Sequence, residues 1–192
     1  MAAASGIRND EFAALLADAQ IGAEPAITRL FEDMQPRLLR FLGAADPSSG
    51  EDLAADVWLA VATSLPRFRG GYQAFRSWVF AIARRRLVDH RRSIDRRRTD
   101  PSDEEAFVSI IARDQTDRQV VDRLSGRDAA LAITQMLSEE QAEVVLLRIV
   151  AELDVAEVAS IMEKTENWVR VTQHRALRKL SDRLGDSREV IL

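Results

Sequence analysis

Apolar residues along this chain recur at intervals of three and four, and alternating β-branched runs are missing. That pattern predicts helices and no sheet. Phe12, Leu15 and Leu16 mark a first helix, with Asn9 or Asp10 placed to cap it. A second helix is predicted from about residue 25 to residue 42, with Ile27, Leu30, Phe31, Met34, Leu38 and Phe41 on one face. Pro36 lies inside it and predicts a kink or a split. "GAADPSSG" reads as a turn. A third helix spans about residues 51 to 65, with Leu53, Val57, Ala60 and Val61 on one stripe, and Pro66 and "RGG" end it. A fourth begins near Ala74 and runs to Arg92 or beyond, its stripe traced by Phe75, Val79, Ile82 and Leu87. Four such helices sharing a core make a first domain, assigned to residues 1–95.

Residues 96–127 change character. "RRRTDPSDEE" combines Pro, Ser and a charge reversal, and Phe107, Ile110 and Ile111 form one small apolar knot. The stretch reads as a flexible linker with some helical tendency. From residue 128 to 192 the periodicity returns. Ser138 and Gln141 fit a capping box that opens a helix through Val144, Val145, Leu147 and Ile149. Asp154 and Glu157 fit a second box, opening a short helix with Val155, Val158, Ala159 and Met162 inward. Thr165 is placed to cap a last long helix. Short helix, tight turn and long helix are the order of a helix-turn-helix. The expected fold class is therefore all-α: two small helical domains joined by a flexible linker, the second with a helix-turn-helix.

Charge changes this picture most. The chain of 192 residues carries a net charge of −4, but residues 61–98 carry 11 Arg and 2 Asp. The flanking segments are acidic: net −6 over residues 1–60 and net −7 over residues 99–143. A basic block of that density is an electrostatic footprint for a polyanion. The plainer alternative is a solvated face paired with the acidic flanks. The block is also rich in aromatic rings: Phe68, Tyr72, Phe75, Trp78 and Phe80 lie among its arginines. Arginines tracking a backbone beside rings that stack with unpaired bases make a single-strand platform, and a Gly-rich loop beside them suits a flipped base. Arg69, Tyr72, Arg76, Trp78, Arg84, Arg85 and Arg91 are the candidates for such contact. Tyr72, read as a loop residue, is the better stacking ring. Trp78 lies beside the apolar stripe and is open to either a core or a DNA-facing role.

The last helix divides in a complementary way. Val169, Ala176, Leu177, Leu180 and Leu184 fall on one side, while Arg170, Val171, His174, Arg175 and Arg178 fall on another. A recognition helix needs this split, one face for anchorage and one offering donors to phosphates and base edges.

Catalysis finds no support. The two histidines, His90 and His174, both sit among arginines, which disfavour imidazole protonation and metal binding alike. No Gly-rich phosphate loop is present. Asp52 and Asp56 are an i, i+4 carboxylate pair that reads better as a solvated or partner-facing edge than as a metal site. With no Cys there is no disulfide framework and no thiolate site. No apolar run approaches the ~20 residues of a membrane span. "MAAASGIRNDEF" lacks the features of a secretory signal, and no sensor domain is expected after the last helix. The expectations are no enzyme activity, no cofactor, no metal, no membrane insertion and a cytoplasmic location.

A double-strand reader at one end and a single-strand reader at the other suit promoter opening. "GEDLAADVWLAVATSLPRFRGGYQAFRSWVFAIARRRLVDHRRS" resembles region two of the extracytoplasmic-function (ECF) sigma factors of the sigma-70 type. "LSEEQAEVVLLRIVAELDVAEVASIMEKTENWVRVTQHRALRKL" resembles their region four, and together the two cover most of the chain. The resemblance implies an RNA polymerase sigma factor. Region two would dock on the clamp helices of core RNA polymerase and read and melt the −10 element of promoter DNA. Region four would read the −35 element as duplex, and an anti-sigma factor is an implied partner. "EDLAADVW" is similar to the clamp-binding pattern DLxQEVF, which implies polymerase contacts at Asp52, Asp56 and Trp58, with Ala55 in place of Gln. "ENWVRVTQHRAL" is similar to EGTVKSRLHRAR: Arg170, His174 and Arg175 match, whereas Trp168, Val171, Thr172 and Gln173 depart. Arg85 stands where the family often has Asn, and "MEKT" lacks the common Gly. The alternatives are a stand-alone helix-turn-helix regulator with a dimerising or sensing N-terminal module, and an adaptor that sequesters polymerase; neither needs a single-strand platform.

Overall fold

The computed structural model describes residues 7–99 and 136–189, the side chains of 97–99 and 183–189 excepted. The apolar knot expected at Phe107, Ile110 and Ile111, the linker beyond residue 99 and the start of the second domain lie outside the described residues; the first positions assigned to the linker, 96–99, continue α4 instead. Those that are described are helical: α1 (Asn9–Gln20), α2 (Glu24–Ala45), α3 (Gly50–Ser64), a 3₁₀ turn (Leu65–Arg67), α4 (Tyr72–Thr99), α5 (Glu139–Val145), a π turn (Leu146–Val150), α6 (Val155–Met162) and α7 (Glu166–Glu189).

The helix ends follow local chemistry, with two departures from the pattern. Neither Asn9 nor Asp10 caps α1; Arg8 holds the cap position without a side-chain hydrogen bond. Pro36 does not split α2, which runs unbroken for 22 residues. A proline removes one backbone donor, and the burial of Met34, Leu38, Phe41 and Leu42 on either side of it offsets that loss. Asp46 organises the next turn, its carboxylate accepting from the backbone N–H groups of Ser48 and Ser49 at 3.1 Å each. Gly50 lets α3 start hard against α2: a Cβ there would lie 2.8 Å from the backbone of Gly43. In the C-terminal half both capping boxes form as the sequence predicts, around Ser138 and Asp154. The Thr165 hydroxyl accepts from the Trp168 N–H at 3.1 Å. Glu163 takes the left-handed conformation (φ 55°) where helices usually place Gly, and closes the turn between α6 and α7.

In the core, α2 packs on α3, α3 on α4, and α1 on α2. The buried stripe of α4 is Phe75, Val79, Phe80, Ala83 and Leu87, all fully enclosed; Ile82, expected on that stripe, is only half-buried. Phe75 is the hub, with ring centroids of Phe12, Phe68 and Trp78 at 5.4, 5.7 and 5.9 Å. The C-terminal helices pack α5 and α6 on α7, and the two halves also meet, α6 against α4 and the π turn against α2. One buried apolar cluster runs through both halves.

The reading of Tyr72 as an exposed loop ring is overturned. Tyr72 is the first residue of α4 and only 9 % exposed. Its ring lies 5.6 Å from that of Phe12, and its hydroxyl donates to the Asp33 carboxylate at 2.5 Å. The preceding loop turns through Gly70 (φ 149°), which swings the ring inward rather than leaving it on the loop. Burial, and then the hydrogen bond to Asp33, push the phenol up to about 12.

Two outcomes follow from this packing. Phe75→Ala should destabilise the fold by about 3–5 kcal/mol, the usual cost of deleting a fully buried phenyl ring, measured by chemical denaturation. Tyr72 is the single tyrosine, so ultraviolet titration reports it alone. The folded chain should ionise near 12 and the urea-unfolded chain near the ordinary value of about 10. Because the folded value is raised, the stabilisation is complete below about pH 10 and is lost as pH rises toward 12. Tyr72→Phe should abolish that part of the pH dependence; a folded-state titration near 10 would refute the burial of the ring.

Candidate nucleic-acid interface

The outward side of α7 is built by anchorage from beneath. Val169 and Ala176 are fully buried where α7 meets α5 and α6. That leaves Arg170, Val171, His174, Arg175 and Arg178 exposed on the other side, as the amphipathic pattern predicts. Leu177, expected among the anchors, is 40 % exposed instead. The Arg170 guanidinium is held by Glu166 one turn earlier at 2.6 Å. Beneath them the Arg148 side chain donates to the Gln173 amide oxygen at 3.1 Å and to the Leu153 carbonyl, tying α7 to the turn before α6. Trp168 is half-buried with the Lys164 ammonium over its ring at 5.2 Å, so its bulk closes the helix-turn-helix corner.

The basic block divides along α4. Arg69, in the loop before the helix, and Arg85 are exposed. Three other candidate arginines are occupied. Arg76 donates to the Glu152 carbonyl at 2.7 Å and lies 3.9 Å from the Glu157 carboxylate. Arg84 donates through Nε to Glu143 at 3.0 Å. Arg91 donates to Glu139 at 2.8 Å and to the Ala45 carbonyl at 3.2 Å. Trp78 is half-buried with its ring 4.8 Å from Phe68, so it packs on the core side. Tyr72 is enclosed and Trp78 is half-buried, so neither ring stands fully clear of the core in this arrangement. Arg84 and Arg91 pair with Glu143 and Glu139 of the acidic stretch 99–143, as the plainer alternative expects, whereas Arg76 meets Glu152 and Glu157 beyond it.

None of these carboxylates was singled out from the sequence as an arginine partner, although Glu157 reads as a capping-box residue. Glu143 and Glu157 are buried, each with 4 % of its side chain exposed. Glu157 also closes the capping box of α6, accepting from the Asp154 N–H at 2.6 Å. For Glu157 the signal is a carboxylate in the largely apolar helix VAEVASIM; Glu143, in EEQAEVV, has no such signal, and neither position says which cation it will meet. For such pairs dehydration offsets most of the attraction, while removing one partner leaves a buried charge that costs about 3–5 kcal/mol. His90 plays a structural part, its Nε2 lying 3.0 Å from the Ser49 hydroxyl and 3.4 Å from Asp46.

A third surface lies on α3. Asp52 and Asp56 are exposed, and Trp58 is half-buried, its indole N–H donating to Gln35 at 2.6 Å and its ring 4.9 Å from Phe31. Beside it Leu59 is 68 % exposed, with Ile27 and Phe31 also open. The latter two were expected on the buried face of α2; they lie at its rim, where Trp58 covers only part of the apolar surface. Phe31 meets Trp58, and Leu59 shares the α3 face of Asp52 and Asp56 by helical spacing; exposed apolar residues taken singly are ordinary. Among the described residues no group of His, Asp or Glu is arranged to hold a metal, and no helix is long and apolar enough to cross a membrane.

Comparison with known proteins agrees with this geometry. The model of Sigma-70 region 2 matches residues 30–99 and that of Sigma-70, region 4 matches residues 127–180. The chain is 28% identical over 184 residues to the ECF RNA polymerase sigma factor SigD of Mycobacterium tuberculosis (strain ATCC 25618 / H37Rv), covering 93% of this chain and 86% of the relative. It is 32% identical over 138 residues to SigF of Caulobacter vibrioides, covering 72% of each. It is 33% identical over 135 residues to ShbA of Streptomyces griseus, covering 68% of this chain and 69% of the relative. Its fold resembles that of CnrH, solved in complex with the cytosolic domain of CnrY, with a TM-score of 0.67 at 20% identity over 91% of this chain and 97% of that one. A region-two helix bundle and a region-four helix-turn-helix, in the order and over the lengths these relatives share, make the chain a member of the ECF sigma factors of the sigma-70 family: a non-enzymatic protein that binds RNA polymerase and directs transcription initiation.

Proposed function

We propose that the three surfaces divide the work of initiation. The exposed face of α3, with Asp52, Asp56 and Trp58, docks on core RNA polymerase. The outward side of α7 reads the −35 element as duplex through Arg170, Val171, His174, Arg175 and Arg178. The basic side of α4 and its preceding loop, with Arg69, Arg76, Arg84, Arg85 and Arg91, holds the −10 element as it opens. Trp78 supports this face from the core side, and Tyr72 anchors the start of α4 to Asp33. In this scheme residues 1–95 form the polymerase and −10 domain, 96–127 the linker and 128–192 the −35 domain. The observation that carries it is α7, a helix pinned by Val169 and Ala176 whose opposite side presents four exposed donor-bearing residues and one apolar one. Such a side fits the major groove, where Arg reads guanine and an apolar group meets the thymine methyl.

Val171, 38 % exposed, fills a position where polar groups are usual, which favours a thymine-bearing contact in the −35 element. The apolar rim of Ile27, Phe31 and Leu59 adds dehydration energy to a docking surface whose charge comes from Asp52 and Asp56. CnrH was solved bound to the cytosolic domain of CnrY, and by extension we assign this chain a protein inhibitor of the anti-sigma kind and a cytoplasmic place of action.

Run-off transcription tests the scheme directly. Core polymerase with this chain should initiate at discrete sites on a pool of genomic fragments from its own source, and core polymerase alone should not. Arg175→Ala should weaken −35 duplex binding by about 1–3 kcal/mol and relax base preference at one position. If Arg175 instead meets only phosphate, all sequences weaken alike and the salt slope falls by about one; no change in either removes it from the interface.

Arg85→Ala in the holoenzyme tests the α4 face separately. Arg85 is exposed, so stability should not change. Open-complex formation on duplex promoter should drop, while a template mismatched across the −10 region should lose much less. Equal losses on both templates would assign Arg85 to binding rather than to strand opening.

A further inference from the structure

We propose that Gln20, the last residue of α1, is a positioning residue for promoter opening: it fixes the backbone of the loop between α3 and α4 and, through the Phe68 carbonyl, the guanidinium of Arg69. Gln20 Nε2 donates to the Leu65 carbonyl at 2.9 Å and to the Phe68 carbonyl at 2.8 Å. A side-chain amide has two such hydrogens, so both are committed to the two ends of one short turn. Gln20 is itself held by its helix. Phe12, Leu16 and Ala19 are buried at spacings of four and three, and α1 packs against α2, α4 and the 3₁₀ turn.

The Phe68 carbonyl receives a second donor. Arg69 Nη1 reaches it at 2.7 Å, and the same nitrogen reaches the Pro66 carbonyl at 3.2 Å. Gln20 Nε2, the Phe68 carbonyl and Arg69 Nη1 therefore form one hydrogen-bonded chain that runs from α1 to an exposed cation. Both backbone bonds of Arg69 are made by Nη1, which leaves Nε and Nη2 for a phosphate or a base edge. A guanidinium held in advance gives up less side-chain freedom when it binds.

The rest of the loop is fastened through side chains. Leu65 is buried, and the Phe68 ring lies 4.8 Å from that of Trp78 and 5.7 Å from that of Phe75. Beyond Arg69 the chain turns at Gly70, where a Cβ would stand 2.9 Å from that of Ala74 and 3.2 Å from the Phe68 ring. Ring packing decides where Phe68 sits, but apolar contact has no direction. The hydrogen bond from Gln20 has one, and it decides which way the Phe68 carbonyl points. Removing the amide orphans neither acceptor: the Leu65 carbonyl keeps the Phe68 N–H at 3.0 Å, and the Phe68 carbonyl keeps Arg69. The consequence is a loosened loop and not an unfolded bundle.

The proposal rests on the assignment of Arg69 to the −10 element, so the test varies the two residues separately and together. Gln20→Met keeps the length of the side chain without its donors; it is compared with Arg69→Ala and with the double variant, each in holoenzyme. The template is a duplex promoter fragment on which run-off initiation is observed. Gln20→Met should lower open-complex formation by roughly two- to tenfold, the range of one net hydrogen bond. The double variant should lose no more than Arg69→Ala alone, because Gln20 acts through Arg69. In the free chain, which lacks cysteine, a spin label at Arg67→Cys, an exposed position of the 3₁₀ turn, should become more mobile with Gln20→Met, and Tm should fall by no more than about 4 °C. Losses that multiply in the double variant overturn the proposal, as does an unchanged label. A larger fall in Tm reduces Gln20 to support of the fold and also overturns it. A normal Gln20→Met beside an impaired Arg69→Ala overturns the positioning role alone and leaves Arg69 on the −10 element. A fully active Arg69→Ala removes Arg69 from that element and takes the proposal with it.

Discussion

The burial of one stripe of α4 is the constraint on which the rest of the molecule depends. Phe75, Val79, Phe80, Ala83 and Leu87 are fully enclosed, and apolar side chains of this size each contribute on the order of 1.5–3 kcal/mol when buried. Because that stripe is locked against α1, α2 and α3, the helix has no freedom to rotate. Its arginines must then project from the remaining circumference, at positions set by the helical repeat. The fold thereby converts a dense cationic segment, which would repel itself in an unfolded chain, into an ordered array whose spacing another surface can match. Tyr72, bound to Asp33, and His90, bound to the turn between α2 and α3, fasten the array near its two ends.

The same logic operates on α7 at smaller scale. Val169 and Ala176 are the pins, and the small side chain of Ala176 lets the helix sit close to its neighbours. The turn between α6 and α7 is made without glycine. Glu163 takes the left-handed conformation, and the Lys164 and Glu163 N–H groups find the carbonyls of Ala159 and Ser160 at 3.0 and 3.3 Å. Two satisfied backbone donors offset a strain that for a non-Gly residue is about 1–2 kcal/mol. The helix-turn-helix therefore tolerates the departure in "MEKT", because the backbone hydrogen bonds, more than the residue type, decide its shape.

The charges divide into those that face solvent and those that face each other. Arg85, Arg175 and Arg178 are exposed, and exposed Arg69 donates to the Pro66 and Phe68 carbonyls at 3.2 and 2.7 Å. Arg76, Arg84 and Arg91 exchange part of their hydration for oxygen atoms from the other half of the chain.

Much of this was legible in the residues themselves. Both capping boxes, the Thr165 cap, the helix-turn-helix and the exposure of His174 and Arg175 are consequences of local spacing, and local spacing is what a sequence records. The exposure of the carboxylates Asp52 and Asp56 was likewise readable from their spacing on one helical face. What failed were statements about which side of a residue meets which neighbour. Tyr72 looked like a loop ring because Gly70 and Gly71 precede it, but the direction of that loop is decided by the packing of Phe68 and Phe75. Pro36 looked like a break, yet buried neighbours on both sides hold α2 together. Ile27 and Phe31 looked like core, but Trp58 covers only part of them. The pairing of Glu143 with Arg84 joins residues 59 positions apart. Periodicity assigns each to a face of its own helix; only the packing of the two halves decides that these faces meet, because a long-range ion pair depends on where two rigid helices come to rest and not on either helix alone.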